Sequence, residues 1–299
     1  MEKQLVPSLA EFFATWSFNG TALVVLLLAA TGYLVLVARL KRRGHRWPIR
    51  LTLTFLVLGL GSYAFVNFGF FGTYRYDLRW AFTTRIALLL FAVPLLIGLA
   101  RPLDLMKAAF TPIQRARLNR IMRSWPLRLI SNAIFAPLFA LALFMIFVTP
   151  LAGPFRASVI AQNAITEFAP LLGLLMLLPI NARNHHRTEI FVVAEFMLAF
   201  AELMLDAIPG VVLSINNTIL DHAPAVMGNL PDWFPTALDD QHFAGNLLWM
   251  IAEAADIPIL VMLFIRWSKT DKKAAKVVDE LSDEEFDALT KAHLHRTHR

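Results

Sequence analysis

With 57% hydrophobic and only 17% charged residues among 299, the chain has a mean hydropathy of +0.57, outside the balance of a water-soluble domain. Its 28 Lys and Arg outnumber 22 Asp and Glu, but the excess follows the alternation of apolar runs and forms no single basic face, which argues against nucleic acid as a partner. The absence of cysteine excludes disulfides and thiolate chemistry.

Apolar runs of about the 20 residues needed to cross a hydrocarbon core predict membrane helices near 21–39, 51–71, 80–100, 131–150, 160–181, 190–213 and 244–266. Uninterrupted stretches such as Leu88, Leu89 and Leu90 do not alternate as the strands of a membrane barrel must. The expectation is therefore an all-α integral membrane protein, a seven-transmembrane-helix bundle in the lipid bilayer. Of the 28 basic residues, 23 lie in Arg39–Arg50, Arg101–Arg128, Arg183–Arg187 and the C-terminal tail, and five lie elsewhere. By the positive-inside rule the N-terminus is outside and the C-terminus cytoplasmic.

The domains follow: an external segment at 1–20, a seven-helix membrane domain at 21–267 and a cytoplasmic tail at 268–299. Because the cluster Lys41, Arg42, Arg43 follows the first apolar run, that run reads as a retained helix and not as a cleaved signal. In the tail, Ser282 and Glu285 form a capping-box pattern that predicts a short helix. The outer connection from Ser214 to Phe243 carries Asp221, Asp232, Asp239 and Asp240 without one Lys or Arg. The inner segment Arg101–Arg128 mixes Leu105, Met106, Phe110, Ile121, Met122 and Trp125 with seven cations. It reads either as an amphipathic helix on anionic lipid or as an ordinary basic loop.

Ionisable groups at membrane depth are costly unless paired or hydrated. Glu195, Glu202 and Asp206, at spacings of seven and four, share one face of the sixth helix; Glu253 and Asp256 share one face of the seventh, ahead of Pro258. Glu167 lies in the fifth helix, and Arg85 is the only cation well inside a span. Two readings stand: cation ligands or a proton relay, or a structural network joining Arg85, Asn163, Asn181 and hydroxyls. At the outer face His222, Met227, His242 and Met250 combine imidazole with thioether, donors that suit copper, although loop histidines can equally be solvated. No Walker loop, dinucleotide fingerprint or paired-histidine zinc motif is present.

The chain resembles the CtaG-type cytochrome c oxidase assembly proteins of bacteria. The resemblance runs through Trp16-Ser17-Phe18, Tyr33, Gly44, Trp47-Pro48 and Arg50. It is most specific in the last span, through Asp240-Gln241, Gly245, Trp249, Ile257-Pro258, Arg266-Trp267 and Asp271. It implies a multi-pass protein of the bacterial plasma membrane that is no enzyme itself. Such a protein helps to mature the copper-containing subunits of a haem-copper oxidase, its implied partners, by handling copper at the outer face. Where typical members carry histidines, this chain has Ala81, Arg85, a residue near Thr166 to Phe168, and Asp206. Two alternatives accompany that expectation: a structural or interaction subunit that has lost metal binding, and a small transporter or proton relay built on the acids of helices six and seven. Asp240, near the N-terminal dipole of the seventh helix, is expected either to cap that helix or to meet a cation or partner, and Arg85 to pair with Asp206, Glu202 or Glu167.

Overall fold

The computed structural model describes residues 6–130, 135–176, 189–221 and 231–279. His222, Met227, Asn181 and the tail helix expected at Ser282 lie outside the described residues. So do the side chains of Glu195, Glu202, Asp206, Asp256 and Pro258. The described residues are helical and irregular, with no strand.

Four helices are long and apolar enough to cross a membrane: Gly20–Arg42 (here α2, after a short α1 at Leu9–Ala14), Ile49–Phe68 (α3), Arg79–Leu99 (α5) and Val159–Met176 (α11). Between α3 and α5 a single turn, Phe70–Thr73 (α4), follows the break at Gly69. The inner segment is three helices, Pro102–Ala109 (α6), Pro112–Met122 (α7) and Trp125–Ile130 (α8). Phe135–Met145 (α9) runs into a 3-10 turn at Ile146–Val148, and Ala152–Ala157 (α10) precedes α11. The last two are long: Glu189–Ile215 (α12) and Ala237–Asp279 (α13). The helix that holds the expected seventh span begins before residue 244 and continues through residues 267 and 268.

The chain divides into two compact units, residues 1–182 with 202–255, and residues 183–201 with 256–299. In the second unit the described residues belong to the first part of α12 and the last part of α13. The first unit holds the core, built on Tyr63, Phe82, Leu89, Leu90, Leu213 and Leu248. Its outward faces are apolar as well: Val24, Leu27, Leu28 and Val35 of α2 are exposed, as expected of side chains that meet lipid.

Local sequence explains how the helices approach. Asn19 accepts from the Ala22 amide at 3.1 Å and so starts α2, while Gly44, at φ +80, turns the chain past its end. Tyr33 stacks on Phe55 with ring centres 4.0 Å apart and accepts from the Trp47 indole at 3.0 Å. That contact places two of the residues that carry the family resemblance together. α3 and α5 each contain a π-helical turn, Thr54–Gly59 and Leu88–Ala92. The second lies just before Pro94, which has no N–H to give, and contains the Leu90 carbonyl oxygen. Gly173 of α11 approaches that oxygen so closely that any Cβ would overlap it. Pro170 frees the Thr166 carbonyl, and the Tyr63 hydroxyl donates to it at 3.1 Å. At the crossing of α12 and α13, a Cβ on Gly245 would stand 2.5 Å from the Gly210 carbonyl and from Ser214 Oγ. The stripe of Gly210 and Ser214 against Gly245 lets two backbones touch.

Candidate functional site

Two polar centres lie in the first unit, one inside the bundle and one at the rim remote from the basic connections. The inner centre is Arg85, with 0% exposure. Its Nη1 donates to Gln162 Oε1 at 2.8 Å, and its Nη2 donates to Asn67 Oδ1 at 2.8 Å and to Thr166 Oγ1. Asn67 is fixed in turn by donating to the Tyr63 carbonyl at 2.9 Å, and Thr166 by donating to the Gln162 carbonyl at 2.8 Å. Among the described residues its partners are neutral amides and a hydroxyl, and no acid lies within ion-pair distance; the side chains of Asp206 and Glu202, two of the three expected partners, lie outside the described residues. Neutral acceptors can orient a guanidinium whose charge is delocalised over a plane, which a lysine ammonium would not permit in the same geometry. Glu167, the next residue after Thr166, is half-buried.

The rim centre begins six residues before Arg85, roughly 9 Å along α5. Arg79 forms a two-pronged pair with Asp221, through Nε at 2.9 Å and through Nη2. Its Nη1 also donates to the Ala237 carbonyl at 3.1 Å. The Asp240 carboxylate accepts from the backbone N–H of Arg79 at 2.7 Å and of Trp80 at 2.9 Å, which corrects its expected role. Asp240 caps the neighbouring helix α5. The start of its own helix is held by Thr236, whose Oγ1 accepts from the Asp239 amide at 3.2 Å. The tertiary contact won because those two α5 amides are buried and otherwise unpaired, whereas Thr236 already serves α13. Arg156 of α10 stands 3.8 Å from Asp221 and 3.9 Å from Asp240. Burial pushes the Asp240 carboxyl above its ordinary range, against the two amides and the guanidiniums of Arg79 and Arg156.

Gln241 fastens the loop before Asp221. It accepts from the Leu220 amide at 2.9 Å and donates to the carbonyls of Thr218 at 2.9 Å and Asn216 at 3.2 Å. The Asp240-Gln241 pair thus joins the start of α5, the end of the loop at 216–221 and the start of α13. Gln162 connects the two centres, since its Nε2 donates to the Arg156 carbonyl at 2.9 Å while its Oε1 holds Arg85. A stack of Phe12, Phe70 and Trp80, with Trp233 alongside, covers the rim.

The other expected residues are not gathered into a site. His242 places Nε2 3.1 Å from the Asn216 carbonyl, and Met250 is exposed two turns further along α13. No three potential metal ligands of the His, Asp or Glu type cluster among the described residues. Glu253 accepts from the Trp249 indole at 3.2 Å, on the surface of α13. Arg79, Arg156, Asn67 and Gln162 were not singled out from sequence. The available signal was the rarity of cations on the acidic side, where Arg79 and Arg156 are two of only a few.

The sequence profile of the family described as cytochrome c oxidase caa3 assembly factor matches residues 31–270. Uncharacterized proteins of Mycobacterium bovis and Mycobacterium tuberculosis are each 23% identical over 94% of this chain, and one of Mycobacterium leprae is 22% identical over 94%. The aligned part is 43% of each relative, so the chain spans less than half of their length. No solved structure matches.

Proposed function

Because this chain belongs to the cytochrome c oxidase caa3 assembly factor family, we propose that it is a multi-pass plasma-membrane scaffold for maturing a haem-copper oxidase and is not itself an enzyme. The observation that carries this reading is the Asp240-Gln241 node. Residues of the family's matched region lock three segments there at one rim, by buried ion pairs and backbone bonds. A fixed outer rim is what a docking scaffold for a second membrane protein requires.

In this reading the chain crosses the membrane seven times with its N-terminus outside. Three contacts support that orientation. The Ser17 amide donates to the Phe68 carbonyl at 2.7 Å and Phe12 stacks on Phe70, which puts the N-terminal segment at the rim of Asp240, while Arg43 meets the Phe110 carbonyl on the basic side. The 27 residues of α12 reach about 40 Å and the 43 of α13 about 64 Å, each enough to span. Copper enters as cargo at the outer rim, where His242 and Met250 are the described soft donors. The interior centre, filled by a guanidinium, belongs to the scaffold.

The test is deletion and complementation. Loss of the chain should lower assembled haem-copper oxidase in membranes, and the copper content of that oxidase, several-fold, with wild type restoring both. His242→Ala with Met250→Leu should then lower copper content more than protein level. Unchanged oxidase in the deletion would overturn the reading. Co-purification with a complex at fixed stoichiometry, with normal oxidase, would favour the interaction subunit instead.

A further inference from the structure

On the basic side, two arginines from separate connections are held at one oxygen. Arg43 Nη1, just past the end of α2, donates to the Phe110 carbonyl at 3.5 Å, and Arg115 Nε of α7 donates to the same carbonyl at 3.2 Å. Both side chains are exposed. The segments Arg39–Arg50 and Arg101–Arg128 hold 13 Lys and Arg with Asp104 as their one acid. Among the described residues no carboxylate lies within ion-pair distance of any of them. One carbonyl dipole does not neutralise two guanidiniums, and the pair presents the forked donors that a phosphate oxyanion takes up.

The surface beside this pair is graded like a bilayer boundary. At 3.6 residues per turn, Gln114, Leu118 and Met122 of α7 fall on one face, and they are the half-buried ones. Ile113 and Ile121, exposed at 70% and 59%, form the flank on one side of that face, and Trp125, at 70%, follows them. Arg115, Asn119 and Arg123 form the flank on the other. Arg117 falls between the two isoleucines, where its stem can lie along them and its head can rise to the headgroups. The α7 N-terminus is not itself free for an anion, since Thr111 and Gln114 close it with a capping box.

We propose that Arg43 and Arg115 form a seat for the phosphate of an anionic phospholipid, on the flank of α7 opposite Ile113 and Ile121. Those exposed isoleucines and Trp125 bring the helix to the bilayer boundary, which favours a lipid headgroup over a free phosphate, and the unneutralised charge selects an anionic headgroup over a zwitterionic one.

Native mass spectrometry of the full chain, with equimolar phosphatidylglycerol and phosphatidylcholine, reads the seat directly. Wild type should retain phosphatidylglycerol selectively, and Arg43→Gln with Arg115→Gln should lose about 30-fold in that binding. Arg101→Gln with Arg128→Gln removes the same charge elsewhere and should cost less than about threefold; an equal loss there would mean a diffuse field and overturn the seat. Displacement of the lipid by excess inorganic phosphate would overturn its identity as a lipid site. Because the Gln pair also removes two bonds to the turn at Phe110, thermal unfolding of the same variant decides: lost binding at unchanged stability supports the seat, and lost binding that tracks lost stability assigns the effect to the turn and overturns it. Since the chain has no cysteine, Ile121→Cys and Asn119→Cys each carry one fluorophore. Quenching by spin-labelled lipid should reach residue 121 and spare 119, and the reverse pattern would overturn the orientation.

Discussion

Replacing Asp240 by asparagine separates a surface helix cap from a buried tertiary anchor. The carboxylate uses both oxygens, one on the Arg79 amide and one on the Trp80 amide, and lies within 3.9 Å of Arg156. Asparagine keeps one acceptor oxygen, so one amide bond and the negative charge go. The lost cap costs about 1 kcal/mol. Leaving two buried guanidiniums to share Asp221 alone adds roughly 3 kcal/mol. The expected total of about 4 kcal/mol is several times what an exposed cap would lose. Denaturant unfolding of the purified protein at mildly alkaline pH measures it, and Arg156→Met in the same background should recover about 2 kcal/mol of coupling. A loss below about 1 kcal/mol, or strict additivity with Arg156→Met, would refute the argument that Asp240 anchors the rim.

Three further outcomes follow from named contacts. Gly245→Ala forces a Cβ to within 2.5 Å of the Gly210 carbonyl, so thermal stability should fall by about 1–3 kcal/mol, with Gly98→Ala, where nothing lies within 4 Å, as the mild control. Arg85→Leu leaves the acceptors of Asn67 and Gln162 without their donor and should cost about 2–6 kcal/mol in unfolding experiments. Glu167→Gln should not restore it, because Glu167 lies outside ion-pair distance of Arg85. Burial raises the Asp77 carboxyl from its ordinary 3.8, against the lowering effect of Arg156 and Arg75. A raised folded value means that the folded state holds the proton more tightly, so this contribution is complete below about 3.8 and is lost as pH rises through the raised value. Asp77→Asn should flatten that part of the stability profile, and an unchanged slope would count against the burial of Asp77.

The spans of α2, α3, α5 and α11 were legible because hydropathy integrates over about 20 residues and needs no tertiary information. The family was legible in the run from Asp240 to Asp271, whose spacing of polar, small and aromatic residues is unusual for a lipid-facing helix. Partners were not legible. The expectation for Arg85 is a carboxylate; among the described residues Asn67 and Gln162, which read as unremarkable polar residues, are what two helices bring to it. Arg85 and Thr166, two positions set apart by comparison with the family's histidines, turned out to be hydrogen-bonded neighbours, so the resemblance located a centre whose chemistry it did not describe. From its place at a helix start Asp240 reads as a cap or a cation partner; that the amides it caps belong to α5 is not legible, because a sequence shows its own turn and not the neighbouring amides that lack partners.

The junction of Pro170, Thr166 and Tyr63 bears on how the bundle can move. A proline usually weakens the helix that carries it, but here the carbonyl it releases becomes the acceptor of a hydroxyl from another helix. An internal bond has been exchanged for a cross-brace. If α11 slipped along α3 by one turn, about 5.4 Å, that carbonyl would be stranded in a medium with no water to receive it. Sliding is therefore penalised at mid-bundle, and the motions left to this pair of helices are small pivots about the brace, which shift the ends while the middle keeps its register.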